Sequence, residues 1–378
     1  MIHTTHVGSL PRGDELVPLL LARDKGEPYD IEQFDQTVQT AIDNAVRKQI
    51  DAGVSIVSDG ELGKVGYSTY IIERLEGFGG HTPRKPAKDL AEVPELAKKL
   101  AAIMGSQEFT RASAICPVKL VNRQPMLDDI RRMKTAMERN TGPDNKGVTA
   151  FMNSASPGLI TAFQPNQYYK THEDYLADLV IAMREEYEAI VSAGFDLQLD
   201  CPDLAMSRHT GYQDLTDKEF IRIAEANVEA LNAATANIPP EKLRMHICWG
   251  NYEGPHDHDI PLEQIIEVIL RARPATILFE SANPRHEHEW IVWKAADTTG
   301  KILAPGLVDS CSNYLETPEL IAQRIERFAS FVGKERVIAS SDCGFGTFAG
   351  YGKIDPAVAW KKLRALREGA NIADKRTG

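Results

Sequence analysis

Several things are scarce in this sequence, and each shortage excludes a class of protein. No apolar run approaches the ~20 residues that a bilayer-spanning helix needs, so the chain reads as soluble. Basic residues are outnumbered, with 43 Lys and Arg against 54 Asp and Glu and a net charge of −11. That balance argues against nucleic acid or an anionic membrane as partner, since both call for basic patches. Cysteines number five, odd and widely scattered, so no disulfide framework is implied. They suit a reducing cytoplasm, where free thiolates are available to a metal. The opening residues MIHTTHVGSLPR lack the apolar core of a signal peptide. No GxGxxG or Walker pattern follows any strand, and no internal repeat is visible. The expectation is a cytoplasmic protein acting on small molecules; homo-oligomerisation is left open.

What remains is an ordinary globular composition over an unusual length. Hydrophobic residues make up 43% and charged residues 26% of 378 positions, which is long for one domain unless the fold is an α/β barrel. Eight short apolar runs read as strands: 3–7, 54–59, 148–153, 196–200, 244–248, 276–280, 302–309 and 336–342. Helical periodicity fills the gaps. Apolar residues recur at three- and four-residue steps from Ile31 to Ile50, and Gly53 stops the pattern. Thr171 with Asp174 forms a capping pair ahead of a helix that Gly194 ends. Further helices are expected near 216–235, 262–272, 317–332 and 357–370. Strands alternating with helices predict a (βα)8 TIM barrel, one domain spanning 1–378, with a doubly wound open sheet as the alternative. The run 112–121 contains Pro117 and reads as a hairpin outside the barrel. Residues 80–110 read as an insertion over the barrel mouth, and polar residues 122–147 as lying outside it.

Four residues at strand ends carry the strongest chemical signal. His246 and Cys248 share a strand at a spacing that puts both side chains on one side. Glu280 and Cys343 close two later strands. Two thiolates, an imidazole and a carboxylate make a tetrahedral zinc set. A Cys and a His can also be plain core residues. Here, however, polar groups follow one strand after another, and in a parallel barrel the C-terminal strand ends are where chemistry collects. Gly8 and Ser9 follow the first strand, Asp59 and Glu61 the second, Asp200 and Asp203 the fourth, and Asp309, Cys311 and Asn313 the seventh. Any one of these acids alone could simply cap the next helix. The pairs His256/His258 and His286/His288 end no apolar strand and read as surface or supporting groups rather than a separate metal site.

The segments TTHVGS, SDGE, LQLDCPD, MHIC, LFES, APGLVD and SSDCG, in this order, resemble the catalytic C-terminal barrel of the cobalamin-independent methionine synthase family. The resemblance implies one zinc ion held by His246, Cys248, Glu280 and Cys343, and a homocysteine pocket built from Gly8, Ser9, Glu61 and Asp200. It implies a small-molecule thiol and an alkyl donor as partners. Two departures stand out. Full-length members carry a second, N-terminal barrel that this sequence does not contain. The family also has a His two residues after the Asp of the seventh strand, which assists protonation of the leaving folate nitrogen; here Asp309 is followed at that spacing by Cys311. Asp309 and Cys311 are therefore the catalytic candidates on the donor side, with methyltetrahydrofolate in question as donor. The leading expectation is zinc-dependent methyl transfer to homocysteine. Related barrels, the epoxyalkane:coenzyme M transferases, open an epoxide with a zinc-activated thiol, and Arg12 is the nearest cation in sequence for a sulfonate. A non-catalytic metal- or ligand-binding barrel is the reading of another class.

Overall fold

The computed structural model describes residues 1–104, 111–142, 147–352 and 354–377. Ten strands are present among them: β1 His3–Thr4, β2 Ile56–Val57, β3 Leu75–Gly79, β4 Ser113–Leu120, β5 Thr149–Ala155, β6 Asp196–Asp200, β7 Leu243–Ile247, β8 Thr276–Phe279, β9 Ile302–Val308 and β10 Ile338–Ser341. Eight of them form one parallel sheet in the order β1-β10-β9-β8-β7-β6-β5-β2. The two end strands meet as well. Ser55 N donates to Thr4 O at 3.1 Å and Thr5 Oγ1 to Ile56 O at 3.0 Å, which brings the sheet round into a TIM barrel. All eight expected strands are in that barrel, each within a few residues of its expected position.

The pairing register decides which residues reach the mouth. Asp200 pairs with His246, His246 with Leu278, and Leu278 with Ala304. Paired residues on neighbouring strands share a face, so these four form one layer. Gln198 and Arg244 lie two residues earlier and face the same way. Arg244 is buried there, with Nη2 on Thr5 Oγ1 and Gln198 Oε1 and its guanidinium 3.8 Å from the Phe151 ring centroid. The alternate residues, among them Leu197, Leu199, Met245, Ile247, Ile277 and Phe279, join the main apolar core beneath the helices. One periodicity thus supplies both a stabilising outer face and a polar interior that opens at the C-terminal strand ends.

The helices begin where the capping chemistry is. Asp30 accepts from Gln33 N, Thr171 from Asp174 N and Thr317 from Leu320 N, while Thr216 and Glu219 form a full capping box. Each such cap is worth about 1 kcal/mol. The run around Pro117 is β4, paired antiparallel with β3 outside the barrel. The register shifts at Gly77, whose φ of 105° and close approach to Pro117 O leave no room for a side chain. Residues 124–140 form a helix that lies on helix Ile31–Asp51, outside the barrel as expected. The insertion folds as helices Lys88–Glu92 and Pro94–Met104 over the mouth. Its buried Asp89 accepts from Tyr252 Oη at 2.8 Å and from His256 N at 3.0 Å, which ties it to the loop after β7. No helix among the described residues is long and apolar enough to cross a membrane.

Candidate active site

Three of the four predicted metal ligands converge. One donor atom from each of His246, Cys248 and Cys343 lies within 4.8 Å of the others, and all three residues are buried. The two sulfurs are 3.1 Å apart. His246 Nδ1 is buried without a hydrogen-bond partner among the described residues. Burial lowers the His246 pKa to about 4, which leaves a neutral ring with a lone pair, and burial pushes the Cys343 thiol well up. Two buried sulfurs in contact beside an orphaned imidazole nitrogen fit a thiophilic cation such as zinc.

The fourth predicted ligand is placed differently. Glu280 is buried beside the trio, but its oxygens are taken: Oε1 accepts from Trp249 N at 2.8 Å, and Oε2 from Asn283 Nδ2 at 2.7 Å and Arg285 Nη2 at 2.6 Å. It does not belong to the group whose donor atoms converge. Arg285, five residues further along the chain, supplies its counter-ion.

Asp342, which the sequence reading passed over, organises this corner. Its Oδ1 accepts from Ser281 N and Ala282 N, each at 2.8 Å, and its Oδ2 from Asn283 N and Nδ2, each at 2.9 Å. The residue next to Cys343 thereby fixes the turn that follows Glu280. Gly306 makes room for it: a Cβ there would lie 2.0 Å from Asp342 Oδ1.

A cavity of about 410 Å³ opens from the trio. Ser9, Glu61 and Asp200 line it with His246, Cys248 and Cys343, so the predicted thiol-side residues and the metal residues share one space. Gly8 stands behind them. Its φ is 145°, and a Cβ would strike the amide of Asn153 at 2.4 Å. That amide donates to both oxygens of Asp200 at 3.2 Å. Glu61 has φ 55°, an uncommon conformation for a residue with a side chain and a strained one. Asp59 Oδ1 accepts from Glu61 N at 2.9 Å, and Arg12 Nη2 donates to Glu61 O at 3.0 Å and to Lys64 O at 2.8 Å. Burial, reinforced by Asp200, raises the Glu61 pKa to about 8; burial raises that of Asp200 to about 6. Asp203 lies apart, holding Ser156 Oγ and Asn227 Nδ2 at 3.0 and 2.9 Å. Arg12 Nη1 donates to a third backbone oxygen, Gly346 O, while its Nε is buried without a partner among the described residues.

On the donor side, Cys311 Sγ donates to Asn251 Oδ1 at 3.2 Å, as does Ser310 Oγ at 3.0 Å. Asn251 Nδ2 reaches Gly344 O and Thr347 Oγ1, both at 2.8 Å, joining the loops after β7, β9 and β10. Asp309 shapes the loop: its Oδ1 accepts from Cys311 N at 2.9 Å, and its own N donates to Glu316 Oε1 at 2.8 Å. Asp309 lines a separate, smaller cavity with Tyr314 and Glu316. Asn313 Oδ1 accepts from Asp355 N at 2.9 Å, well down the chain. Tyr67 and Phe348, whose rings lie 5.4 Å apart, are among the cavity residues that the sequence did not mark. Neither ends an apolar strand, as the other site residues do.

No family model matches the chain. It is 24% identical to the methionine synthase of Saccharolobus solfataricus over 377 residues, covering 98% of this chain and 95% of that one. It is 25% identical to the methionine synthase of Thermococcus kodakarensis over 376 residues, covering 98% and 93%. A B12-independent methionine synthase from a Shewanella species, solved with selenomethionine, superposes over 100% of this chain and 98% of its own with a TM-score of 0.71 at 20% identity. Along nearly its whole length the chain is similar to proteins named methionine synthase, and its barrel has the fold of a B12-independent methionine synthase.

Proposed function

We propose that the protein is a zinc-dependent methyltransferase that forms methionine by transferring a methyl group to the sulfur of homocysteine. The observation that carries this is the convergence of His246, Cys248 and Cys343 at one end of a cavity that also holds Glu61 and Asp200. The full-length match to proteins named methionine synthase supports it. His246, Cys248 and Cys343 would hold the zinc ion, and Glu280 would complete the set if it left Arg285. Zinc bound there would deprotonate a substrate thiol and leave its sulfur nucleophilic at neutral pH, where a free thiol with pKa near ~8.5 is mostly protonated.

The chain's own residues account for recognition of the amino acid. With pKa values raised to about 8 and about 6, Glu61 keeps its proton at neutral pH beside an ionised Asp200. An arriving ammonium group would let both ionise, replacing mutual repulsion by attraction. Asn153 holds Asp200 in place, and Ser9 offers a hydroxyl on the same wall. An acidic pair is a poor seat for a sulfonate. Arg12 Nη1 and Nη2 donate to three backbone carbonyls, which holds the guanidinium against the chain rather than in the cavity lining. This favours homocysteine over a sulfonated thiol and methyl transfer over epoxide opening. Asp309 acts here by holding the loop of Cys311, whose neighbour Ser310 lines the cavity.

The test is metal content and turnover in one preparation. Methionine formation from homocysteine is expected, and Cys343→Ser should lose it together with the one equivalent of zinc held at the trio. Negligible zinc in carefully purified protein, with Cys343→Ser unchanged in either measure, overturns the reading.

A further inference from the structure

We propose that His209, His256 and Asp259 form a second metal site, for a divalent transition-metal ion such as zinc, which staples the loop after β7 to the segment after β6. One donor atom from each lies within 4.8 Å of the others. None of the three lines the cavity that contains Cys248.

The hydrogen bonds leave lone pairs pointing inward. Tyr252 Oη donates to Asp89 at 2.8 Å, so its oxygen accepts from His209 Nε2 at 3.2 Å. A neutral His209 then carries its lone pair on Nδ1. That atom lies 3.2 Å from Asp259 Oδ1, yet it makes no hydrogen bond in a residue only 1% exposed. His256 repeats the pattern. Its Nε2 lies 3.0 Å from Tyr252 O, a pure acceptor, and so carries the proton. Its Nδ1 faces both oxygens of Asp259 at 3.1 Å. Two imidazole lone pairs thus converge on a carboxylate that His286 Nε2, at 3.1 Å, and Arg285 Nη1, at 3.8 Å, also face, and the two lone pairs call for a positive charge between them. At His256 a second proton would serve; at His209 the geometry forms no hydrogen bond to carry one.

A metal ion satisfies all three together. Ligands at zinc–nitrogen and zinc–oxygen distances sit about 3.3 Å apart along a tetrahedral edge, close to the 3.1 and 3.2 Å seen here. The outer partners are those a metal site needs, since a ligating histidine gives its other N–H to a carbonyl or a polar group that fixes the ring. Tyr252 O does this for His256 and Tyr252 Oη for His209, while His286 Nε2, at 3.1 Å, steadies Asp259. His256 also sits at φ 55°, a strained backbone that surrounding structure must hold. Two imidazoles and a carboxylate are a borderline, sulfur-free set, suited to Zn, Fe, Co or Ni rather than Mg or Ca. The ion would lock Tyr252 and, through Asp89, the insertion over the mouth.

Cobalt separates the two sites. Full-length protein carrying Cys248→Ser and Cys343→Ser is stripped with chelator, then titrated with Co2+ under equilibrium dialysis. One equivalent should bind, with d–d bands but no sulfur-to-cobalt charge transfer, and should raise the melting temperature. Adding Asp259→Asn or His209→Gln should abolish both, with circular dichroism unchanged. A folded double-cysteine variant that retains no cobalt overturns the proposal, as does retention unaffected by both added substitutions. Should the double variant fail to fold, the unsubstituted protein decides: two ions per chain uphold the second site, and one, with its thiolate charge transfer, overturns it.

Discussion

Arg285 Nη2 lies 2.6 Å from Glu280 Oε2, and this ion pair keeps the Glu280 carboxylate occupied beside the three converging metal donors. Burial works against a charge on Glu280, but Arg285 outweighs it and holds the pKa below its ordinary value. The carboxylate is therefore an anion held by the guanidinium at hand, and a metal ion bound at the trio would offer it an alternative partner.

Arg285→Met tests that alternative. Removing one partner of a buried pair costs about 3–5 kcal/mol, so the metal-free variant should melt well below the unsubstituted protein. Zinc should restore most of the loss, because Glu280 can turn to the ion. Thermal melts of both proteins, with zinc and with chelator, supply the comparison. An equal deficit in both conditions would mean that Glu280 does not reach the metal.

The acidic pair gives a pH dependence with a definite sign. Glu61 has a folded pKa of about 8 against an ordinary 4.5. Between those values the folded chain keeps a proton that the unfolded chain releases, so Glu61 withdraws stability as pH rises through that window and contributes none of its own above it. A bound ammonium group reverses the balance by favouring the ionised form. Affinity for methionine, which has no thiol to titrate, should therefore rise from pH 6 towards the Glu61 pKa of about 8, with proton release, by at most about tenfold per unit. Calorimetry in buffers of different ionisation enthalpy reads both quantities. In Glu61→Gln the slope should flatten and binding weaken; an unchanged slope would remove Glu61 from the ammonium site.

Gly306→Ala probes the Asp342 hub from outside the metal site. The new Cβ would meet Asp342 Oδ1 at 2.0 Å and the Asp342 Cα at 2.5 Å, so no side-chain rotation relieves it. Overpacking of this kind should cost roughly 3 kcal/mol. Zinc retention should fall with it, since Asp342 adjoins Cys343 and fixes the turn after Glu280. Gly352→Ala, which meets nothing within 4 Å, is the control. Denaturant midpoints and zinc content of the two variants decide it, and equal stability would show that the turn can shift without Asp342.

What the sequence made legible follows from strand geometry. β6 lies where its alternation put it, at 196–200, and the His-x-Cys spacing carried both side chains to the mouth because β7 is regular there. β3 was invisible, since LEGFG has two glycines and only two large apolar residues, too little for a pattern of period two. The helix at 124–140 was hidden by its charge, although Met126, Ile130, Met133 and Ala136 mark a buried stripe. The partners of the metal residues were out of reach for a different reason. Asp342 holds residues 59 to 61 positions away, and His209 comes from a four-residue helix that meets Asp259 fifty positions on. Such contacts are made by the closed barrel, and no local spacing encodes them.

The methyl donor is the last matter the site bears on. A tertiary amine such as the reacting nitrogen of methyltetrahydrofolate leaves only once protonated, so its transfer needs a placed acid. Cys311 occupies the position where the resemblance led one to expect a histidine. Its Sγ is engaged with Asn251 Oδ1 at 3.2 Å, and an ordinary thiol, with pKa near ~8.5, is a weaker acid than an imidazolium near ~6.5. A donor that already carries a good leaving group, such as a sulfonium or a methylated corrinoid, needs no such help. Turnover with methyltetrahydrofolate should therefore be weak beside turnover with these donors at equal homocysteine. Cys311→His should raise the folate rate selectively, by up to the 10²–10⁴-fold that general acid catalysis typically contributes, while Cys311→Ala should leave the sulfonium and corrinoid rates within a few-fold. Steady-state assays of the three proteins against the three donors make the comparison. Robust methionine formation from methyltetrahydrofolate, undiminished in Cys311→Ala, would show that the acid is a residue other than Cys311.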